Sequence, residues 1–251
     1  MKRKVFGVLV GLVAMGAVAS AAVAPCPTGK TLADYIALGA TGCQIDDKVF
    51  SNFAYSGGQG GVPQAGQVNV TPDNTPFNPG VNFGANWTLF GPNLSEDFHL
   101  SFTVDVLAGG RPIGDDSLGI DIGQVVGVNS LITVNETVCL GGNFTNPAGG
   151  TGCTNPTSSL SAFDASNSNK TFDHNIFLPA SYTHIQVFKD IGLQTGLCPN
   201  SDTNAACVNP VANFSSLSQN FSEVPEPMTL SMMGLGLLGL GLVRRRQPGK
   251  K

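Results

Sequence analysis

The sequence predicts an all-β protein: an antiparallel β-sandwich of jelly-roll type with one short N-terminal helix. Apolar residues recur at every second position in several segments, which is typical of strands with one buried face. Turn-forming residues separate these segments, and the 251-residue chain contains 32 glycines and 16 prolines. No long segment has the period of an amphipathic helix, which argues against parallel β/α folds. We therefore expect about eight to ten strands in two packed sheets.

The first element predicted in the body of the chain is a short helix over residues 31–39. Thr31 can cap its first turn, and Asp34, three residues later, can accept a hydrogen bond from the Thr31 amide as in a capping box. Gly39 can adopt the left-handed conformation that closes many helices. The residues that follow are predominantly in strands.

Strands are predicted along most of the remaining body because apolar and polar residues alternate there. The alternation places Trp87 in the core, so we do not expect its ring to bind sugars at the surface. One segment is interrupted by Ser130 but otherwise keeps the pattern. The residues expected on buried faces are Phe50 and Phe53; Val81, Phe83, Ala85, Trp87 and Leu89; Phe98, Leu100, Phe102, Val104 and Val106; Val126, Val128, Ile132 and Val134; Phe172, Ile176 and Leu178; and Ile185, Val187 and Ile191.

The first 22 residues predict a secretory signal peptide that forms an N-terminal helix. Residues 2–4 are basic, residues 5–18 are apolar, and residues 19–22 are the small residues that a signal peptidase requires. We expect export through the Sec translocon and cleavage after Ala21 or Ala22. An uncleaved anchor is the alternative, but the apolar run is shorter than the ~20 residues of a spanning helix.

Six cysteines lie in the body, and an even number in an exported chain predicts disulfides. The spacing favours three sequential pairs, each closing a short loop: Cys26 with Cys43, Cys139 with Cys153, and Cys198 with Cys207. A zinc site is the alternative. It is disfavoured because no two cysteines have the C-x₂-C spacing and the three histidines are scattered.

The C-terminal end combines a proline-bounded acidic motif, an uncharged apolar run and a basic cluster. The motif is Val224-Pro225-Glu226-Pro227, the run covers residues 228–243, and the cluster is Arg244-Arg245-Arg246. As a helix, the run would extend about 24 Å, a short transmembrane anchor for a bilayer core of ~30 Å. The arginines are expected to remain cytoplasmic. Two prolines keep the motif extended, as a processing enzyme's cleft requires.

This C-terminal layout closely resembles the PEP-CTERM sorting signal, a kind of tail also labelled an ice-binding protein C-terminal domain. The resemblance implies processing by an exosortase, a membrane-embedded cysteine peptidase or transpeptidase, in a Gram-negative bacterium. Together with the signal peptide and the strands predicted above, it divides the chain into a signal peptide (1–22), an extracellular β-sandwich domain (23–222) and a sorting signal (223–251). The sorting signal comprises the motif (224–227), a transmembrane helix (228–243) and a basic tail (244–251).

The body shows no recognisable catalytic motif, such as G-x-S-x-G, H-E-x-x-H or a P-loop. Asp115, Asp116 and Asp121 form its densest acidic group. We interpret Asp115 and Asp116 as solvated residues of a turn, with a calcium site as the weaker alternative. His174 and His184 could face each other across a hairpin, although a catalytic role is disfavoured. We expect no cofactor.

The charge of the body excludes one class of partner. Between residues 22 and 224 there are five basic and 16 acidic residues, a net charge of −11, which argues against nucleic-acid binding. We expect a non-enzymatic protein that is held transiently in the inner membrane and then reaches the cell surface or extracellular matrix, with polysaccharide as a candidate partner in biofilm. The alternatives are a secreted hydrolase with a dispersed carboxylate site and a structural subunit of a surface appendage.

Overall fold

The computed structural model describes residues 22–57, 63–165, 168–177, 181–196 and 209–223. The signal peptide cleavage after Ala21, Leu178, Cys198, Cys207 and the whole sorting motif with its anchor fall on residues outside these ranges. Among the described residues, no helix is both long enough and apolar enough to cross a membrane.

The described residues form one α-helix and thirteen strands. In chain order these are β1 (Lys30–Thr31), α1 (Leu32–Ala37), β2 (Cys43–Ile45), β3 (Lys48–Gly57), β4 (Asn69–Asp73), β5 (Gly80–Phe90), β6 (Ser95–Val106), β7 (Asp115–Val126), β8 (Leu131–Leu140), β9 (Thr157–Ala165), β10 (Ser168–Lys170), β11 (Phe172–Ile176), β12 (His184–Gln194) and β13 (Val211–Asn220).

The strands form two antiparallel sheets packed face to face. Sheet A has the order β10-β9-β8-β12-β6-β3-β2, and sheet B has the order β1-β4-β5-β13-β7-β11. The chain crosses repeatedly between the sheets, for example from β5 to β6, from β6 to β7 and from β7 to β8. These crossings bring the inner faces of both sheets into one core, and the predicted β-sandwich is confirmed.

The predicted helix is present as α1 and closes one edge of the core. The Asp34 carboxylate accepts hydrogen bonds from the Thr31 amide (2.9 Å) and hydroxyl (3.0 Å), which holds the first turn. Tyr35 is fully buried, and its ring meets Phe53 edge-on at 5.3 Å. Its hydroxyl reaches the Pro27 carbonyl at 2.8 Å, so the buried phenol keeps a hydrogen-bond partner.

The apolar core follows the predicted alternation on β3, β5, β6 and β12. Trp87 is 1% exposed and stacks flat on Phe214 of the neighbouring strand, with ring centroids 4.5 Å apart. Phe50 and Phe102 are fully buried and pack against each other from β3 and β6. Aromatic pairs of this kind add roughly 0.5–1.5 kcal/mol beyond burial alone.

Four residues predicted on buried faces are exposed, whereas Ile132 and Val134 are buried as predicted. Val126 and Val128 are exposed, because β7 ends at Val126 and the chain turns before β8 with Asn129 in a left-handed conformation. Phe172 and Ile176 are also exposed, because β11 is an edge strand whose other side faces β9. That side carries polar contacts instead: the Asp173 carboxylate accepts from the Ser161 amide at 2.9 Å.

Two of the three predicted disulfides lie in the described residues, and both are formed. Cys26 bonds Cys43 and so fixes the segment before α1 alongside β2. Cys139 bonds Cys153 and fastens the loop after β8 to the end of that strand. Each bond removes loop-closure entropy from the unfolded chain.

Candidate functional site

The three aspartates considered for calcium do not share a site. Asp115 and Asp116 begin β7 instead of lying in a turn, so their side chains point to opposite faces of sheet B. Asp116 is fully buried in the core, while Asp115 accepts a hydrogen bond from the Ser222 amide at 3.0 Å. Asp121 is exposed, six residues further along the strand and about 20 Å from Asp115.

Asp116 belongs instead to a polar cluster in the middle of the core. Lys189 of β12 lies directly opposite Glu136 of β8 in sheet A and forms an ion pair with it. Lys189 also donates to the Gln219 side chain of sheet B, and Gln219 donates to Glu136 at 3.2 Å. All four side chains are buried. The cluster therefore joins the two sheets by hydrogen bonds across the core.

The surroundings of Asp116 favour its protonated form. Neither of its carboxyl oxygens has a hydrogen-bond partner, and the Glu136 carboxylate is close enough to interact with it. Burial, followed by the charge and hydrogen bonding of Glu136, raises the pKa of Asp116 to about 9, although Lys189 partly opposes the shift. A protonated Asp116 can donate to Glu136, which satisfies both groups. Burial also lowers the pKa of Lys189, opposed by Glu136.

A second ionic group, which we call the junction cluster, consists of Asp47, Lys48, Arg111 and Glu223. Lys48 is fully buried and pairs with Asp47 and with Glu223 Oε1, the latter at 2.8 Å. Arg111 Nη1 donates to the second Glu223 oxygen at 3.2 Å, and its amide donates to Asp47. Burial would raise the pKa of Asp47, but the hydrogen bonds and charge of these partners outweigh it and leave the pKa lowered.

A shallow polar pocket of about 430 Å³ opens beside the junction cluster, between the β2–β3 turn and the β6–β7 loop. Carboxylate oxygens of Asp46, Asp47 and Glu223 lie within 4.8 Å of one another there. Since Lys48 already forms ion pairs with two of these three carboxylates, Asp47 and Glu223, a metal ion would have to compete with a buried ammonium group. The pocket lining is Gln44, Asp46, Asp47, Leu107, Ala108, Gly109, Gly110, Arg111 and Glu223.

Glu223 is also where a family match begins. Residues 223–246 match the model of the PEP-CTERM protein-sorting motif. The chain carries a PEP-CTERM sorting signal. The motif implies export, membrane-anchored sorting in a Gram-negative bacterium and an exosortase as the processing partner. In this PEP-CTERM protein, the junction cluster therefore holds the residue next to the sorting motif.

Comparisons of the whole chain add little. No curated protein matches it. Solved structures with some likeness include the enzymatically active domain of tailspike protein 4 of bacteriophage CBA120, at 11% identity and a TM-score of 0.25, covering 70% of this chain and 19% of that one. Another is Clostridium perfringens delta-toxin, at 9% identity and a TM-score of 0.14, covering 61% of this chain and 80% of that one. The PEP-CTERM protein thus spans about a fifth of the tailspike domain, and neither score supports a shared fold.

A third cluster lies on the outer face of sheet A, where His99 and Asp190 are directly paired across β6 and β12. His99 Nε2 lies 3.3 Å from Asp97 and 4.0 Å from Asp190. Partial burial, and then the neighbouring Asp97, raise the pKa of Asp190. Two carboxylates and an imidazole are a donor set that could hold a divalent cation. Their ligating atoms lie within 4.8 Å of one another.

The histidines considered as a pair are separated by the fold. His174 lies on β11 of sheet B and is exposed, whereas His184 begins β12 of sheet A. His184 Nδ1 lies 2.6 Å from Asp105, and its Nε2 lies 3.2 Å from Asn143. His184 therefore fixes the start of β12 to β6 and to the loop after β8.

The sequence analysis did not predict the buried cluster of Asp116, Glu136, Lys189 and Gln219, which we call the core cluster. The sequence nevertheless contains a signal for it. In each of the four strands the polar residue occupies an inward position of the alternation. Lys189 lies between Val187 and Ile191, and Glu136 between Val134 and Val138. Gln219 follows Leu217 and Asp116 precedes Leu118 in the same phase. A charged residue at an inward position indicates a buried partner, because an unpaired buried charge is strongly destabilising.

Proposed function

We propose that this PEP-CTERM protein is a non-enzymatic β-sandwich of the cell surface or extracellular matrix that binds polysaccharide through the outer face of sheet B. The observation that carries the proposal is an exposed aromatic ring beside a surface that bears hydroxyl and amide groups. We call this surface the Phe172 face. Its members lie in two rows across β11, β7, β13 and β5: Phe172, Gly119, Ser218 and Asn82 in one row, and His174, Ser117 and Asn220 in the other.

Strand register brings these side chains together. Phe172 pairs with Gly119, which pairs with Ser218, which in turn pairs with Asn82. Because Gly119 has no side chain, the Phe172 ring lies over this position, and a Cβ there would be 3.8 Å from the ring. The ring is 59% exposed. An apolar ring left in solvent on a polar sheet face is available for stacking on a ligand.

The chemistry of the Phe172 face suits sugars. Apart from the Phe172 ring and the imidazole of His174, its side chains are hydroxyl and amide groups, which both donate and accept hydrogen bonds. Sugar hydroxyls require partners of this kind, and the flat face of a pyranose can pack on the aromatic ring. The surface carries no row of basic groups that would favour a polyanion over a neutral glycan.

The edges of the described sheets favour a matrix protein over a filament subunit. β1, β2 and β10 are two or three residues long, and β11 has five residues. Short edge strands are poor templates for strand addition between chains. The carboxylates of the junction cluster also fit a hydrolase poorly, because Asp47 and Glu223 are already engaged in ion pairs with Lys48 and Arg111.

The test is binding of the mature protein, purified from the host, to the host's own exopolysaccharide. We expect saturable binding that Phe172→Ala weakens at least fivefold, since the ring supplies the stacking surface. Phe77→Ala is the matched control, because Phe77 has a similar exposure (56%) but stacks under Arg111 near the junction cluster. Equal loss in both variants, or no binding to any surface polymer, would contradict the proposal. Release of reducing ends from the polymer would instead identify a hydrolase.

A further inference from the structure

The segment that leaves β13 is held on both sides up to the residue before the sorting motif. The amides of Phe221 and Glu223 donate to the carbonyls of Pro79 (2.9 Å) and Phe77 (3.0 Å). On the other side, the Gly114 amide donates to the Ser222 carbonyl at 2.8 Å. The chain is therefore part of the folded sandwich as far as Glu223.

The Glu223 side chain makes this attachment hard to open. It is 2% exposed, and both of its oxygens are in ion pairs, one with Lys48 and one with Arg111. Lys48 has no exposed surface, so releasing Glu223 would leave a buried ammonium group with Asp47 as its remaining ion-pair partner. Removing one partner of a buried ion pair is strongly destabilising. The attachment thus persists while the domain stays folded.

The length of the motif limits how far a processing enzyme can lie from the sandwich. The motif, residues 224–227, follows Glu223 directly, and four residues span at most about 14 Å when extended. An enzyme that binds this motif in a cleft must bring the rim of that cleft against the sandwich. The surface it meets is the pocket rim around Glu223, formed by Asp46, Ala108, Gly109 and Arg111.

We propose that the rim of the junction pocket is a docking surface for the exosortase during processing of the motif. The inference rests on exosortase processing of this chain, which the sorting motif implies. The rim offers a carboxylate at Asp46, a guanidinium at Arg111 and an exposed turn at Ala108 and Gly109. The exosortase surface therefore needs a basic group opposite Asp46, an acidic group opposite Arg111 and only small side chains opposite the turn.

The test is the rate of precursor conversion, followed by pulse-chase in host cells that contain the exosortase and express the full-length protein. Ala108→Trp adds bulk to an exposed turn without removing a native side-chain contact, and we expect it to lengthen the conversion half-time at least threefold. Val128→Trp is the control. It places the same bulk on an exposed turn at the far end of β13, about 33 Å away. We expect the Val128→Trp half-time to equal that of the wild type.

A spacer separates docking from a general defect. A spacer of six residues, all glycine or serine, between Glu223 and Val224 lets the exosortase cleft close on the motif without touching the sandwich. The spacer should therefore restore normal conversion of the Ala108→Trp variant. Normal conversion of Ala108→Trp without the spacer overturns the inference, and so does a defect that the spacer leaves in place. A photocrosslinking amino acid at position 108, but not at 128, should capture the exosortase, and failure of that capture also counts against docking.

The motif itself supplies the second arm of the experiment. Replacing Pro225, Glu226 and Pro227 with alanines should leave the precursor unprocessed in the inner membrane. If that variant is processed normally, exosortase sorting itself is wrong. If it is blocked while Ala108→Trp is processed normally, sorting stands and the docking surface alone is wrong.

Discussion

Asp116→Asn should stabilise the sandwich, by an amount that grows as the pH rises. The Asp116 carboxyl keeps its proton in the fold up to about pH 9, whereas in the unfolded chain it loses its proton near pH 4. Between these values the folded state binds more protons than the unfolded state, so stability falls as the pH rises. Each pH unit costs about 1.4 kcal/mol, which amounts to about 4 kcal/mol at pH 7.

Asparagine avoids this cost because it is neutral in both states. It has nearly the same shape as aspartic acid, and its amide can donate to Glu136 as the protonated carboxyl does. We therefore expect the free energy of unfolding of Asp116→Asn to exceed that of the wild type by about 1–2 kcal/mol at pH 5 and about 4 kcal/mol at pH 7. The difference should grow further up to pH 9.

Urea unfolding of the oxidised protein at pH 5, 7 and 9 measures this difference. Trp87 is the only tryptophan in the sequence, and its buried ring reports the unfolding of the core. Asp121→Asn is the control: this exposed carboxylate lies on the same strand, so its removal should change stability by less than about 0.5 kcal/mol. If the free energies of unfolding of the wild type and Asp116→Asn depend on pH in the same way, or if Asp116→Asn is the less stable at pH 7, Asp116 is not protonated in the fold.

Two further changes probe the core cluster and one disulfide. Lys189→Met should destabilise the protein by about 3–5 kcal/mol in urea at pH 7, because it leaves Glu136 buried without its cation. Lys170→Met removes an exposed ion pair and should cost less than about 1 kcal/mol; equal losses would show that the buried pair has no special role. Replacing Cys139 and Cys153 by serine should remove about 3 kcal/mol and lower the melting temperature by roughly 6–12 °C. An unchanged melting temperature would mean that the loop after β8 is ordered without the bond.

The sequence predicts the core strands well because their alternation is set by local geometry. Every second residue of a strand faces the same side, so the inward positions of β5 and β12 can be assigned from Trp87 or Val187 without knowing any partner strand. The same rule fails for Val128 and Phe172. An apolar residue in a turn or on an edge strand keeps the pattern without having a second sheet to cover it.

The members of the core cluster and of the junction cluster could not be predicted from the sequence. Asp116 and Glu136 are 20 residues apart, and Lys48 and Glu223 are 175 residues apart, so their contacts depend on which strands pack together. The inward phase of Lys189 indicates a buried partner but does not identify it. The sorting motif is different, because all of its recognisable features are contiguous in the chain. Its attachment to the sandwich depends on the contacts of Glu223, which the sequence does not show.

The position of β13 has a consequence for the timing of folding during export. It is the last strand among the described residues, yet it lies in the centre of sheet B between β5 and β7. A chain that crosses the membrane from its N-terminus can form the Cys26–Cys43 and Cys139–Cys153 bonds early. It cannot complete sheet B until residues 211–220 have emerged, and by then the sorting motif, which begins four residues later, is already within the translocon. Completion of the domain and arrival of the motif at the membrane are therefore nearly simultaneous, so a processed molecule is one whose final strand has had the chance to insert.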